Sequence, residues 1–518
     1  MEYKSTKENF VSGGQGCSML DVLAIAITAL FTYFIWSLVN GRLTSRQTPQ
    51  LTILLTEFFM LTTPLLLAIT IFSDYLWTFN VALALLSWSV SFAPIRSPVG
   101  LPQSRPKASS AAYDARKAKS STPPSTPSAS DYTHKDLNFN QSQHLSETLL
   151  HHRHPLKPSE SSKTDDTVNL MSSKKPEIKF HQEFVTLYRA QMMLLTVLSI
   201  LAVDFPVFPR KFGKTEHTGV SLMDLGVGSF VFSLGIVGAL PVLKGTPTQQ
   251  SFWVEVWNGV RKTVPLVLLG LIRTILVKGV DYPEHVTEYG VHWNFFFTLA
   301  ILPMVGVAAH RLMAISRLGF ASLGLLLGIF HQLMLSYAGV ENYVLSDAPR
   351  HGLISANREG ISSLAGYGVI YLLGLDSGCY VLPPHPDYLK KGRTETRAGK
   401  RATVLASWGI VWWTLVFLLG RPCRRTANGA YCAWVAAMNV FLLLGYELLG
   451  GSLPKTYEAV NRNSLAVFLG ANLLTGLVNV SIETVFVTDA RISLLLLEAY
   501  LAVVIMVAWL AREYKLKI

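Results

Sequence analysis

Charge is what this chain has least of. Only 15% of its 518 residues are Asp, Glu, Lys or Arg, where a soluble domain carries about 25%. Half of the residues are hydrophobic. The balance excludes an ordinary water-soluble enzyme. Cysteine is scarce too, and Cys17, Cys379, Cys423 and Cys432 show no metal-ligand spacing. That removes a zinc site or a disulfide scaffold. The alternating ten-residue pattern of barrel strands is absent. Gly226 and Gly228 lack the Gly-Lys-Ser/Thr ending of a phosphate loop, so they are read as helix-packing positions. No compact basic domain accompanies the net charge of +12, so no nucleic-acid partner is expected. No cleavable leader is expected either. Residues 1–19 are polar, and the first apolar run is long enough to stay in the membrane.

What the chain does have is apolar runs of about 17–25 residues, each able to cross roughly 30 Å of hydrocarbon. Thirteen are expected, near 20–39, 51–72, 77–95, 184–203, 222–243, 260–277, 292–309, 318–338, 360–376, 403–420, 429–447, 463–480 and 492–510. The predicted fold class is all-α, a polytopic membrane helix bundle of about thirteen transmembrane helices. Lys and Arg are commoner in the loops that share a side with the C-terminus, even without the longest loop. The positive-inside rule then gives a lumenal N-terminus and a cytosolic C-terminus. Three parts are expected: spans 1–3 in 1–95, a disordered cytosolic loop over 96–183, and spans 4–13 with the catalytic core in 184–518. The loop is rich in Ser, Pro and His, with no apolar periodicity to pack. Its HHRH at 151–154 reads as a solvated tail.

Charge that breaks the apolar pattern is the most informative feature. The stretch AVDFPVFPRKFGKTEHTGVSLMDLGVGSFVFS, 202–233, sets Asp204, Arg210, Lys211 and Lys214 between two apolar runs. Polar groups at a membrane boundary point to polar cargo or chemistry there. Asp204 reads either as a general base or as an interfacial carboxylate paired with Arg210 or Lys211. A carboxylate that loses part of its hydration becomes a stronger base. Pro206 and Pro209 break any helix between Asp204 and Lys214, so a folded-back loop could join the two side chains. Lys214 would then steady Asp204 or stabilise an oxyanion; otherwise it is a surface lysine. Arg210 and Lys211 are candidate phosphate binders or headgroup contacts. Asp224 is expected to cap the following helix or to line the site. Arg421, Arg424 and Arg425, followed by Asn428, form a second cluster on the expected lumenal side, either suited to an anionic lipid or to CoA phosphates or simply one basic short loop. Asn357, Arg358 and Glu359 read as a helix cap with an ion pair, or as contacts to a sugar or inositol hydroxyl. Asn472 and Asn479 lie two turns apart on one helix face, as interhelical glue or as cavity lining. Glu57, Arg189 and Arg273 sit within spans and are expected to face protein or a water-filled cavity. His331 lacks the companion residues of a catalytic histidine. Cys423 and Ser221 lack an adjacent base.

Five blocks carry a family likeness: KENFVSGGQGCS (7–18), the 202–233 stretch, SANREGISSLAGYGVIYLLG (355–374), RRTANGAYCAW (424–434) and NRNSLAVFLGANLLTGLVN (461–479). In this order they resemble the glycosylphosphatidylinositol (GPI)-anchor inositol acyltransferases, the PIG-W family. Gly429 departs from the bulkier residue expected there. The 96–183 loop lies outside the likeness. The resemblance implies a multi-pass endoplasmic-reticulum membrane enzyme. It would move a fatty acyl group, usually palmitoyl, from acyl-CoA to the inositol 2-hydroxyl of glucosaminyl-phosphatidylinositol. Acyl-CoA would be a co-substrate, with no permanently bound cofactor and no metal. The resemblance also places Asp204 and Lys214 on the pair thought to act in catalysis. From the charges and spans alone, a multi-span lipid transporter or flippase is the competing reading.

Overall fold

The computed structural model describes residues 2–43, 48–92, 180–244, 251–279, 286–384 and 398–514. Among these the chain is helical with short connections, and one antiparallel bridge, Cys17 to Val220, is the sole extended pairing. The expected disordered loop, 96–183, lies outside the described residues except for its last four positions, and the HHRH run lies within the undescribed part.

Eleven described helices are long and apolar enough to cross a membrane. Each coincides with an expected run, from Met19–Leu43 to Ala490–Glu513. The other two of the thirteen are helices of a different kind. Leu76–Phe92 is apolar but has only 17 residues. Phe252–Gly279 is long enough at 28 residues, but Arg261, Lys262 and Arg273 interrupt its apolar surface. The second span, Gln50–Ile69, is two helices joined at Thr62. Pro64 in the first turn of Thr63–Ile69 cannot donate to the preceding turn, and this breaks the ladder.

The bundle is organised around Glu183–Ala202, Arg358–Val381 and Gly429–Leu449, whose side chains are mostly buried. Leu222–Gly238 packs on Arg358–Val381 backbone to backbone. A Cβ on Gly235 would sit 2.2 Å from the Tyr371 carbonyl oxygen, and one on Gly374 would sit 2.2 Å from that of Phe232. Small residues allow such approach where lipid supplies no hydrophobic drive between helices. Phe232 lies against Gly374 and Ile236 against Gly378, the same chain order in both helices, so the two are parallel and start at the same end of the bundle. The tip carrying Ala427 meets that end too, against Gly366. Gly399–Leu419 and Ser464–Ser481 turn Phe417, Leu418, Leu477 and Val480 outward, as a lipid-facing surface does.

Two of the three charges within spans have protein partners. The Glu57 carboxylate accepts from the backbone N–H groups of Lys455 and Thr456, at 3.1 and 2.8 Å, and so caps Lys455–Arg462. Arg189 Nε donates to Ser233 Oγ at 3.1 Å. Arg273 differs from expectation: it is exposed. Its helix lies on the outside of the bundle with Leu268, Leu271, Ile272 and Ile275 also exposed.

Candidate active site

The helix Glu183–Ala202 stops where the prolines begin, and a turn follows in which Asp204 N–H donates to the Leu201 carbonyl. Phe205, Phe208 and Phe212 are fully buried. These three rings anchor an irregular loop at the end of the bundle and fix which way its charged residues leave it.

Asp204 is buried, 4% exposed. Its Oδ1 lies 3.3 Å from the Lys7 ammonium, itself buried. Its Oδ2 accepts a 2.7 Å hydrogen bond from Asn479 Nδ2. Thr484 Oγ1 donates to Asn479 Oδ1 at 3.2 Å and holds the amide in that orientation. No ion pair joins Asp204 to Lys214 among the described residues. Lys214 Nζ donates instead to both oxygens of Glu288, at 2.8 and 2.9 Å. The expected pair is therefore two separate pairs. Ten residues of loop place the side chains toward different neighbours, and each finds an opposite charge from a distant part of the chain.

Arg210 and Lys211 are not an open phosphate grip. Arg210 donates to the carbonyls of Phe205 and Phe208 at 3.2 and 2.9 Å and lies over the Phe10 ring at 4.2 Å. Burial pushes its guanidinium down to about 10, with the Asp204 charge working the other way. Lys211 pairs with Asp74 at 2.6 Å. Asp224 is not the helix cap either. Ser221 is the N-cap, its Oγ accepting from the Asp224 N–H at 3.1 Å. The fully buried Asp224 carboxylate accepts from Thr215 N–H at 3.2 Å, Thr215 Oγ1 at 2.7 Å and Arg424 Nε at 2.7 Å.

The second basic group folds inward. Arg424 and Arg425 are buried, and only Arg421 of the three arginines is exposed. Burial alone would lower the Arg424 guanidinium, but the charges of Asp224 and Glu288 outweigh it and hold it well above its ordinary value. Asn428 caps Gly429–Leu449, its Oδ1 accepting from Tyr431 and Cys423 N–H groups at 3.0 Å. Glu359 is fully buried among three guanidiniums: Arg350 at 2.5 Å, Arg425 at 3.4 Å and Arg358 at 3.5 Å. Asn357 precedes the helix but does not cap it through its side chain. Its Oδ1 accepts from the backbone of His292 and Trp293 at 2.8 and 2.9 Å. Counted through the ion pairs of the described residues, five cations, Lys214, Arg350, Arg358, Arg424 and Arg425, meet three carboxylates, Asp224, Glu288 and Glu359. A cluster with more cations than carboxylates favours an anionic ligand. Arg424 Nη1 and Arg425 Nε are buried donors with no acceptor among the described residues.

Asn472 and Asn479 share a face but not a role. Asn479 reaches Asp204 at the helix end, while Asn472 is exposed and bonds its own helix at the Phe468 carbonyl, 2.7 Å away. His331 lies 2.9 Å from the Thr426 carbonyl, and Cys423 Sγ contacts the His217 carbonyl at 3.4 Å. Both support the 421–428 loop. Burial pushes the Cys17 thiol up to about 12, which removes it as a thiolate nucleophile.

Sequence reasoning missed Lys7, Glu288 and Arg350. Lys7 opens one of the family-like blocks, so a signal was present, but nothing in the chain links it to Asp204. Nearby, an apolar cavity of about 380 Å³ is lined by Val267, Trp293, Phe297, Ala300 and Ile301, with His292 and Asn357 as its polar edge.

Comparison with known proteins decides the family. The family model described as GWT1 matches residues 3–511. The chain belongs to the GWT1 family. Curated relatives named GPI-anchored wall transfer protein 1 match it over two thirds to all of its length. The protein from Cryptococcus neoformans var. neoformans is 34% identical over 100% of both chains. That from Aspergillus oryzae is 35% identical over 98% of this chain and 97% of its own. The Candida albicans protein is 36% identical over 67% of this chain and 77% of its own.

Proposed function

We propose that this GWT1-family chain works in GPI-anchor biosynthesis as the inositol acyltransferase of the endoplasmic-reticulum membrane. It transfers a fatty acyl group, palmitoyl in the usual case, from acyl-CoA to the inositol 2-hydroxyl of glucosaminyl-phosphatidylinositol. Family membership and the names of the relatives support the process. The observation that carries the chemistry is the buried Asp204 carboxylate, fixed on one oxygen by Lys7 and on the other by Asn479. A carboxylate has about four lone-pair positions. Two contacts orient it and leave it acceptor capacity for a hydroxyl.

In this reading the inositol hydroxyl gives its proton to Asp204 as its oxygen attacks the thioester carbonyl. The tetrahedral intermediate collapses, the C–S bond breaks, and the CoA thiolate leaves and takes up a proton. Lys214 serves at the oxyanion. Its side chain is one-third exposed, and Glu288 uses two of its three donors. The surplus of buried arginine favours the phosphodiester of the lipid or the phosphates of CoA. The apolar cavity suits an acyl chain. Both substrates react without a resident cofactor, with the bilayer holding the lipid on the lumenal side.

The test is acylation by the purified protein in detergent, with palmitoyl-CoA and glucosaminyl-phosphatidylinositol, read by mass spectrometry. An acylated inositol product supports the reading. In cells lacking the protein, accumulation of acylated but unflipped lipid would support the transporter reading instead.

A further inference from the structure

We propose that Lys7 is a positioning residue for acyl transfer, holding the Asp204 carboxylate in place and aimed, so that the N-terminal segment is part of the active site. The inference rests on the acyltransferase reading above. It begins with geometry. Lys7 and Asp204 are both buried and 3.3 Å apart. A buried carboxylate without a cation is costly to keep charged. The amide on its other oxygen supplies no charge. Arg210 adds its field, but its Nη2 donates to the Phe205 and Phe208 carbonyls. Lys7 is the cation in direct contact.

The segment that carries Lys7 is built into the site. Helix Glu2–Val11 presents Lys7 to Asp204 and, one turn on, Phe10 to the Arg210 guanidinium. Past the helix the chain lies directly on the 214–220 backbone. The Gly13 N–H donates to Glu216 Oε1 at 2.8 Å, Glu216 N–H donates to the Gly14 carbonyl at 3.2 Å, and Cys17 N–H donates to the Val220 carbonyl at 2.8 Å. A Cβ at Gly14 would sit 2.1 Å from the Lys214 carbonyl oxygen, and one at Gly16 would sit 2.5 Å from that of Val220. Glycine is what lets the two backbones meet. One segment therefore supplies the cation beside Asp204 and grips the loop that carries Lys214.

A cation against a carboxylate favours its charged form. If Asp204 must be ionised to accept the hydroxyl proton, removing Lys7 makes it bind a proton more readily. The acid limb of the pH–rate profile then moves to higher pH. The experiment uses the full-length protein in nanodiscs, with palmitoyl-CoA and glucosaminyl-phosphatidylinositol, over a range of pH. Lys7→Gln is expected to lower kcat about 10–100-fold, leave KM for palmitoyl-CoA nearly unchanged, and move the acid limb to higher pH. Lys7→Arg is expected to keep the limb in place and retain most of kcat. A purely structural lysine would lower thermal stability in Lys7→Gln and leave the limb where it was; that result overturns the proposal. If Lys7→Gln does not accumulate, Lys7→Arg decides: a folded but inactive Lys7→Arg also overturns it. Absence of any transfer by the wild-type protein refutes the acyltransferase reading itself and takes this proposal with it, whereas active wild type with an unaltered Lys7→Gln refutes only the role of Lys7.

Discussion

Two buried carboxylates stand at the two ends of the same charged stretch and are treated in opposite ways. Asp224 is saturated: backbone, hydroxyl and a guanidinium all donate to it within 3.2 Å, and every donor belongs to a loop or helix start of the same bundle end. Asp204 has one ammonium and one amide, each from a different region of the chain. A carboxylate wrapped like Asp224 holds structure together, since a new contact would have to displace an old one. One held like Asp204 is oriented and still has acceptor capacity. The difference separates a joint from a reacting group, although both are aspartates at apparently similar positions in the sequence.

Substitution should break this comparison cleanly. Asp204→Asn keeps the shape and removes the base, and acylation is expected to fall about 10²–10⁴-fold while the purified protein stays folded. Asp224→Asn should do the reverse. It leaves the Arg424 guanidinium buried without its counter-charge, a loss of about 3–5 kcal/mol, seen as poor accumulation and a lowered melting temperature. Lys214→Ala, with Glu288 left behind, is expected to lower kcat about 10²–10³-fold as an oxyanion donor is lost, with a smaller effect on stability. Filling the apolar cavity with Ala300→Trp should sharpen the picture at the substrate end. Transfer from palmitoyl-CoA is expected to fall about tenfold relative to transfer from a short acyl-CoA, measured by competition between the two donors. The smallest effect is expected at Cys17. Its thiol, pushed up by burial to about 12, stays protonated at pH 8, so maleimide labelling should be slow, and Cys17→Ser should change activity by no more than about twofold.

The helices were legible because hydropathy is written locally. Eleven runs of apolar residues became eleven helices able to span a bilayer, and the two departures follow from length in Leu76–Phe92 and from basic residues in Phe252–Gly279. Asp204 and Lys214 were also legible, as charge at a membrane edge and as matches to a family block. Their partners were not. Lys7 and Glu288 reach the site from other helices, as does Asn479, which was singled out without its partner, and no spacing rule connects a residue to a neighbour that only the folded bundle brings near. The arginines mislead for the same reason. Arg424 and Arg425 look like an exposed basic patch until Asp224 and Glu359 arrive beneath them. Asn472 and Asn479 show the limit of helical periodicity: a common face is not a common environment when the site lies at one end.

The most direct test compares Asp204→Asn with the wild type, both purified into nanodiscs and supplied with palmitoyl-CoA and glucosaminyl-phosphatidylinositol. Acylated product is followed by mass spectrometry and folding by thermal melting. The structure predicts a variant that melts like the wild type and yields little or no acylated lipid. A folded Asp204→Asn protein that acylates at a near-normal rate would contradict the assignment of Asp204 as the base.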